Sequence, residues 1–122
     1  MKLKMLLYTF LISGFVSAQI SFTAKVSKKQ LGINERLRVD FTMNKDGDDF
    51  EPPNFENFTV VGGPSQSINN SWVNGVRSFS KSYSYFLAPQ KRGTFVIGQA
   101  TIKIDGETYK TLPINITVSA AI

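Results

Sequence analysis

The sequence contains no cysteine and no histidine among its 122 residues. Without cysteine there is no disulfide, no thiol nucleophile and no thiolate ligand. Without histidine the side chain that titrates nearest neutrality is missing, and with it the commonest general base and metal ligand. Catalysis would have to rest on carboxylates, serine, tyrosine or lysine. Acidic residues are absent from the whole stretch between Glu56 and Asp105, and no run of basic residues exceeds two. Scattered lysines and arginines describe a solvated surface, whereas a nucleic-acid footprint clusters them on one element, so no nucleic-acid partner is expected. Helical periodicity is missing too, and no helix is expected after the N-terminal segment.

That segment carries Lys2 and Lys4, an apolar run from Met5 to Val16, and small residues at Val16-Ser17-Ala18. This is the layout of a secretory signal peptide over residues 1–18, cleaved between Ala18 and Gln19. The apolar run is short of the roughly 20 residues of a spanning helix, which argues against a retained anchor. Cleavage leaves about 104 residues, enough for one domain with one core over residues 19–122. The formal charge of +5 then falls to +3, because 12 of the 14 basic residues remain against 9 acidic ones. An exported chain without disulfides must take its stability from apolar packing.

Alternation dominates the rest. Ile20, Phe22, Ala24 and Val26 alternate with Ser21, Thr23, Lys25 and Ser27, and Leu37, Val39, Phe41 and Met43 alternate with Arg36, Arg38, Asp40 and Thr42. A period of two is the mark of a strand with one buried face. Between them Leu31 to Glu35 reads as a turn, and Asn44 to Asp49 as another. Pro52-Pro53 forbids a central strand, and Phe55 to Val61 offers a short one that ends at Gly62-Gly63-Pro64. Thr101 to Ile104 and Glu107 to Lys110 flank Asp105-Gly106, a type I′ hairpin signal that sets Ile102 opposite Tyr109, and Leu112 to Val118 closes the domain. Seven to nine strands in about 100 residues predict an all-β, antiparallel immunoglobulin-like β-sandwich with a long central hairpin, preceded by a signal peptide. A closed barrel is the alternative that alternation alone leaves open.

The long hairpin is the centre of that reading. Asn74-Gly75 is the strongest short-range signal for a two-residue turn, and it pairs Val73 with Val76, Trp72 with Arg77, Ser71 with Ser78 and Asn70 with Phe79. One face of the ribbon then carries serines from Ser65 to Ser84, and the other carries Ile68, Trp72, Phe79, Tyr83 and Tyr85, with a buried base and an exposed tip. Trp72, Val73, Asn74, Gly75, Val76 and Arg77 form the candidate interaction tip, since tryptophan and arginine are enriched at binding hot spots. The plainer alternative is that Trp72 and Arg77 stack on each other as a cation–π pair. The uncharged ribbon is also a weakly defended edge that can accept another strand.

No motif supplies chemistry. Asp46-Gly47-Asp48-Asp49 with Glu51 lacks the ligand order of a calcium loop and reads as a solvated turn. Ser78-Phe79-Ser80-Lys81 spells S-x-x-K, but that pattern needs a helix to bring serine and lysine together, and this segment alternates like a strand. No catalytic, cofactor-binding or metal residue is expected, and the chain is not expected to be an enzyme.

Gly63-Pro64-Ser65-Gln66-Ser67, Asn74-Gly75, Ser82-Tyr83-Ser84-Tyr85, Leu87-Ala88-Pro89, Gly93 to Gly98, Ala100, Tyr109-Lys110-Thr111 and Pro113-Ile114, in that order, resemble the N-terminal domain of the BatD proteins. Phe55 to Gly63 is similar to the family's lead-in, and Gln99 departs from it where proline is usual. The resemblance runs from Ile20 to Val118. It implies a bacterial envelope protein associated with oxygen or stress tolerance (aerotolerance), built of periplasmic immunoglobulin-like domains and encoded with von Willebrand A-type domain proteins and a MoxR-type ATPase. It further implies that the module works by protein–protein contact, that its partners are envelope proteins such as those von Willebrand A-type proteins, and that it is periplasmic and inner-membrane associated. Anchoring would run through a region absent from this chain, which then corresponds to the first domain of a longer protein. A carbohydrate-binding or adhesin module, with Trp72, Tyr83 and Tyr85 as a stacking platform, is the alternative from another class.

Overall fold

Leu37, Val39, Phe41 and Met43 are wholly buried on one strand, and the rest of the chain wraps that row. The structure, a computed structural model, describes residues 19–121. The signal-peptide reading falls on residues 1–18 and lies outside the described residues. Among the described residues there are ten strands and no helix. They are β1 (Phe22–Val26), β2 (Gln30–Gly32), β3 (Leu37–Met43), β4 (Asp48–Glu51), β5 (Phe58–Val73), β6 (Val76–Pro89), β7 (Gly93–Ile97), β8 (Thr101–Ile104), β9 (Glu107–Lys110) and β10 (Ile114–Ser119).

Three sheets form, in the orders β1-β3-β6-β5, β2-β10-β7 and β4-β8-β9. Among the described residues each has two open edges, so the domain is an immunoglobulin-like sandwich and the barrel alternative does not hold. The apolar faces of all three meet in one core, to which β3 gives its row, β6 gives Tyr85 and Leu87, β8 gives Ile102 and Ile104, and β10 gives Ile116 and Val118. Aromatic rings join the layers: Phe41 lies 5.8 Å from Phe50, 6.3 Å from Phe55 and 5.9 Å from Tyr85, while Phe50 stacks on Tyr83 at 4.2 Å. Contacts of this kind add about 0.5–1.5 kcal/mol each beyond the area they bury.

Both turn signals hold. Asn74 and Gly75 have φ of 52° and 79°, Asp105 and Gly106 have 53° and 82°, and the cross-strand pairs follow the expected register in both hairpins. Three local readings are corrected. The Leu31 to Glu35 turn is shorter than expected, because Gln30–Gly32 forms β2 and pairs in parallel with Thr117–Ser119 of β10, burying Leu31. The polar turn after β3 likewise stops early, since Asp48–Glu51 pairs with β8 across a register irregularity.

The third correction concerns Gly62-Gly63-Pro64, which does not break the chain. β5 runs through it as one strand of 16 residues, with register shifts on either side of Gly62 and a cis Gly63-Pro64 bond. Gly63 has φ of 91°, and a Cβ there would lie 2.3 Å from the Ser84 carbonyl oxygen. Glycine lets β5 bulge while keeping contact with β6. The hairpin is therefore longer than the run after Pro64, and its lower half is part of the four-stranded sheet.

Candidate functional site

The candidate site is the distal end of the β5–β6 hairpin. Its lower half is clamped between the core and β3, and beyond about Ser80 the ribbon leaves the body of the domain, since every residue from Pro64 to Ser78 is exposed. At the tip Trp72 is 69% exposed, Val73 64% and Val76 66%, with Ile68 exposed below them. Asn74 and Gly75 make the turn and are open to solvent, and no neighbour lies within 4 Å of where a Gly75 Cβ would stand. The residues expected at the tip are thus brought together.

Arg77 does not stack on Trp72. Its Nε donates to Asn70 Oδ1 at 3.0 Å, and its guanidinium sits 5.5 Å from the centre of the Phe79 ring. Asn70 faces Phe79 and Trp72 faces Arg77 in the register, so all four share one face of the ribbon. Arg77 satisfies a donor and a cation–π contact by leaning toward the base, which leaves the Trp72 ring without the expected cationic cover. Arg77 and Phe79 also line a cleft of about 340 Å³ with Gln19, Ile20, Asn44, Lys45 and Asp46.

Lys81, two pairs below Phe79, fastens the hairpin to the β3–β4 turn. Its Nζ lies 3.0 Å from Asp46 Oδ1 and 5.5 Å from the centre of the Tyr83 ring. The hydrogen bond to Asp46 raises the lysine pKa above its ordinary value, burial opposes this, and Tyr83 adds to the rise. Tyr85 is also raised, by burial first and by Tyr83 second.

The serine face divides in two. Near the base Ser84 Oγ donates to Asp40 Oδ1 at 2.5 Å, Arg38 Nε donates to the same oxygen at 2.9 Å, and the hydroxyls of Thr42 and Ser82 are 2.8 Å apart. Near the tip Ser67, Asn69, Ser71 and Ser78 face solvent. Among the described residues β5 pairs only with β6, so it is an edge of its sheet along its whole length.

The other sequence candidates are dispersed. Tyr85 is buried and Tyr83 is stacked on Phe50, so no exposed platform forms with Trp72. Asp46 is held by Lys81, and Lys45 is paired with Asp105 at 2.5 Å. Among the described residues no group of three or more carboxylates is placed to hold a metal ion. Ser78 is exposed and Lys81 is buried along one strand, which separates the S-x-x-K pair. One residue the sequence placed within the last strand lies outside it: Leu112 precedes β10 and is 78% exposed. Its position in an apolar run carries no signal of that exposure.

No curated protein matches the chain. Comparison with known families matches residues 24–118 to the BatD family, through the domain described as BatD DUF11 like. The match begins inside β1 and ends in β10, so it covers the sandwich and both hairpins. In agreement with the residues quoted from Gly63 to Ile114, this chain belongs to the BatD family.

Proposed function

We propose that this chain is a non-enzymatic, exported interaction module of the cell envelope, which works by docking partner proteins on the tip of its long hairpin. Family membership supports the setting, that of an envelope protein of an aerotolerance operon. The observation that carries the tip is Trp72, 69% exposed on one face of a ribbon stiffened by a type I′ turn, with the exposed Val73–Val76 pair next to the turn on the other face. An exposed tryptophan with aliphatic neighbours on a pre-organised turn buries a large area at little entropic cost when a partner covers it. The partners in this reading are the von Willebrand A-type domain proteins of the same operon, in the periplasm.

The test is titration of a purified von Willebrand A-type domain against the mature protein and against Trp72→Ala with Arg77→Ala. The expected result is a loss of at least about tenfold in affinity, the usual mark of a hot-spot tryptophan. Unchanged affinity in a folded double variant removes the binding role from the tip. Gly75→Val is the companion variant, because a β-branched residue resists the positive φ of 79° at that position. It distorts the turn without deleting a contact side chain, and a reduced affinity is expected there too.

A further inference from the structure

β1 is the opposite edge of the same sheet from β5, and it borders a groove that the tip does not use. Two hydrogen bonds set the phase of its ladder with β3: Ser27 N donates to the Arg38 carbonyl at 2.9 Å, and Asn44 N donates to the Ser21 carbonyl at 3.3 Å. In an antiparallel pair the residues that exchange hydrogen bonds alternate with those that do not. Thr23 and Lys25 therefore bond to β3 with Ser21 and Ser27, and the N–H and C=O groups of Phe22, Ala24 and Val26 point to the open edge.

Beside that edge is a groove of about 640 Å³. Phe22, Ala24 and Val26 form one wall, and Leu112, Pro113 and Ile114 form the other. Leu112 is 78% exposed, the most exposed large apolar side chain among the described residues. Lys25 and Lys29 also line the groove, and no acidic residue does. Lys28 is paired with Glu35 at 3.8 Å, whereas Lys29 makes no ion pair among the described residues and neither does Lys25, whose cross-strand neighbour Asp40 is taken up by Arg38 and Ser84.

We infer that this edge receives an extended, acidic segment of a partner protein as an added strand. Strand addition matches the free backbone groups, since an incoming strand of five residues spans about 17 Å and takes up the unused N–H and C=O groups of β1. Charge selects the occupant. Residues paired across two strands share a face, so apolar side chains opposite Phe22, Ala24 and Val26 fill the groove, and carboxylates opposite Thr23 and Lys25 lie on the outer face beside the lysine. A second copy of this chain is disfavoured, because its β1, Phe22–Val26, carries no carboxylate to meet Lys25 and Lys29. The segment sought is one in which apolar and acidic residues alternate.

The test uses nine-residue synthetic peptides in which valine, leucine or phenylalanine alternates with aspartate or glutamate, and a matched set with lysine at the acidic positions. Amide NMR spectra of the labelled mature protein are recorded during titration. Binding of the acidic set is expected, with shifts concentrated at residues 22–26 and 112–114 and new exchange protection at the Phe22, Ala24 and Val26 amides. Lys25→Glu with Lys29→Glu is expected to weaken acidic peptides about tenfold and to favour the lysine set. Ala24→Pro removes one outward donor while leaving the β3 ladder, and is expected to weaken both. Because the lysine variant alters only exposed side chains, it remains informative if the proline variant unfolds. Absent binding, equal binding of both sets, shifts at the hairpin instead, or concentration-dependent dimerisation through β1 each overturns the inference. None of these outcomes depends on the tip, so Trp72→Ala is expected to bind the acidic peptides like the parent.

Discussion

Lys81 Nζ meets Asp46 Oδ1 at 3.0 Å, and through this pair the hairpin is tied to the turn that follows β3. The lysine side chain is almost wholly covered while the aspartate stands largely in solvent. A charged hydrogen bond with one exposed end contributes about 1 kcal/mol, less than a fully buried one, because water and salt screen it.

Alkaline stability follows from that pair. The Lys81 pKa is raised above 10.5 and the Tyr85 pKa above 10.0 in the folded state. A group whose folded pKa is raised contributes stability that is complete below its unfolded pKa and is lost as pH rises through the folded value. The Tm is therefore expected to fall as pH rises above about 10. Lys81→Met with Tyr85→Phe is expected to make that fall shallower while costing no more than about 1–2 kcal/mol at neutral pH. Thermal melts across the alkaline range check it, and an unchanged slope in the double variant rules out this origin.

Phe41 is fully buried with Phe50, Phe55 and Tyr85 around it. Phe41→Ala is expected to cost about 3–5 kcal/mol, from lost transfer energy and the cavity left behind. Arg38→Ala, on the solvent side of the same strand, removes an exposed ion pair with Asp40 and a contact to the Phe86 ring at 5.8 Å. Its expected cost is below about 1 kcal/mol. Urea titration of the two variants distinguishes the faces.

Two glycines with positive φ are expected to respond differently to alanine. At Gly75 nothing stands in the way of a Cβ, so Gly75→Ala carries only the left-handed backbone penalty of about 1–2 kcal/mol. At Gly63 the new Cβ meets the Ser84 carbonyl oxygen at 2.3 Å, so strain adds to a clash with backbone that cannot swing aside. Gly63→Ala is expected to lower Tm well beyond Gly75→Ala and to open amide exchange along Tyr83, Ser84 and Tyr85.

The hairpin tip is expected to be nearly silent in stability. Trp72 makes no ring contact with Arg77, and the Arg77 bonds are to Asn70 and Phe79 on the exposed ribbon. Trp72→Ala with Arg77→Ala is expected to shift stability by no more than about 1 kcal/mol. A loss of several kcal/mol would place these side chains in the fold and take them away from binding.

What the sequence determined by itself is local: which side chains of β1 and β3 turn inward, where the two-residue turns fall, and which residues face each other across them. Each depends on a period of two or on the left-handed φ that Asn74-Gly75 and Asp105-Gly106 supply within a few residues of chain. The exposed Trp72 was legible for the same reason. Tertiary structure decided the rest. Gln30–Gly32 becomes a strand because β10, from the far end of the chain, lies beside it, and Asp48–Glu51 does so because β8 does. Gly62-Gly63-Pro64 reads as a stop in isolation, yet the β6 ladder carries β5 through it by bulging. Arg77 leans to Phe79 and Asn70 through competition among neighbours on one face, which the register alone does not rank. The open edge of β1 and the exposure of Leu112 depend on which strands fail to meet, and no periodicity along the chain encodes the absence of a neighbour.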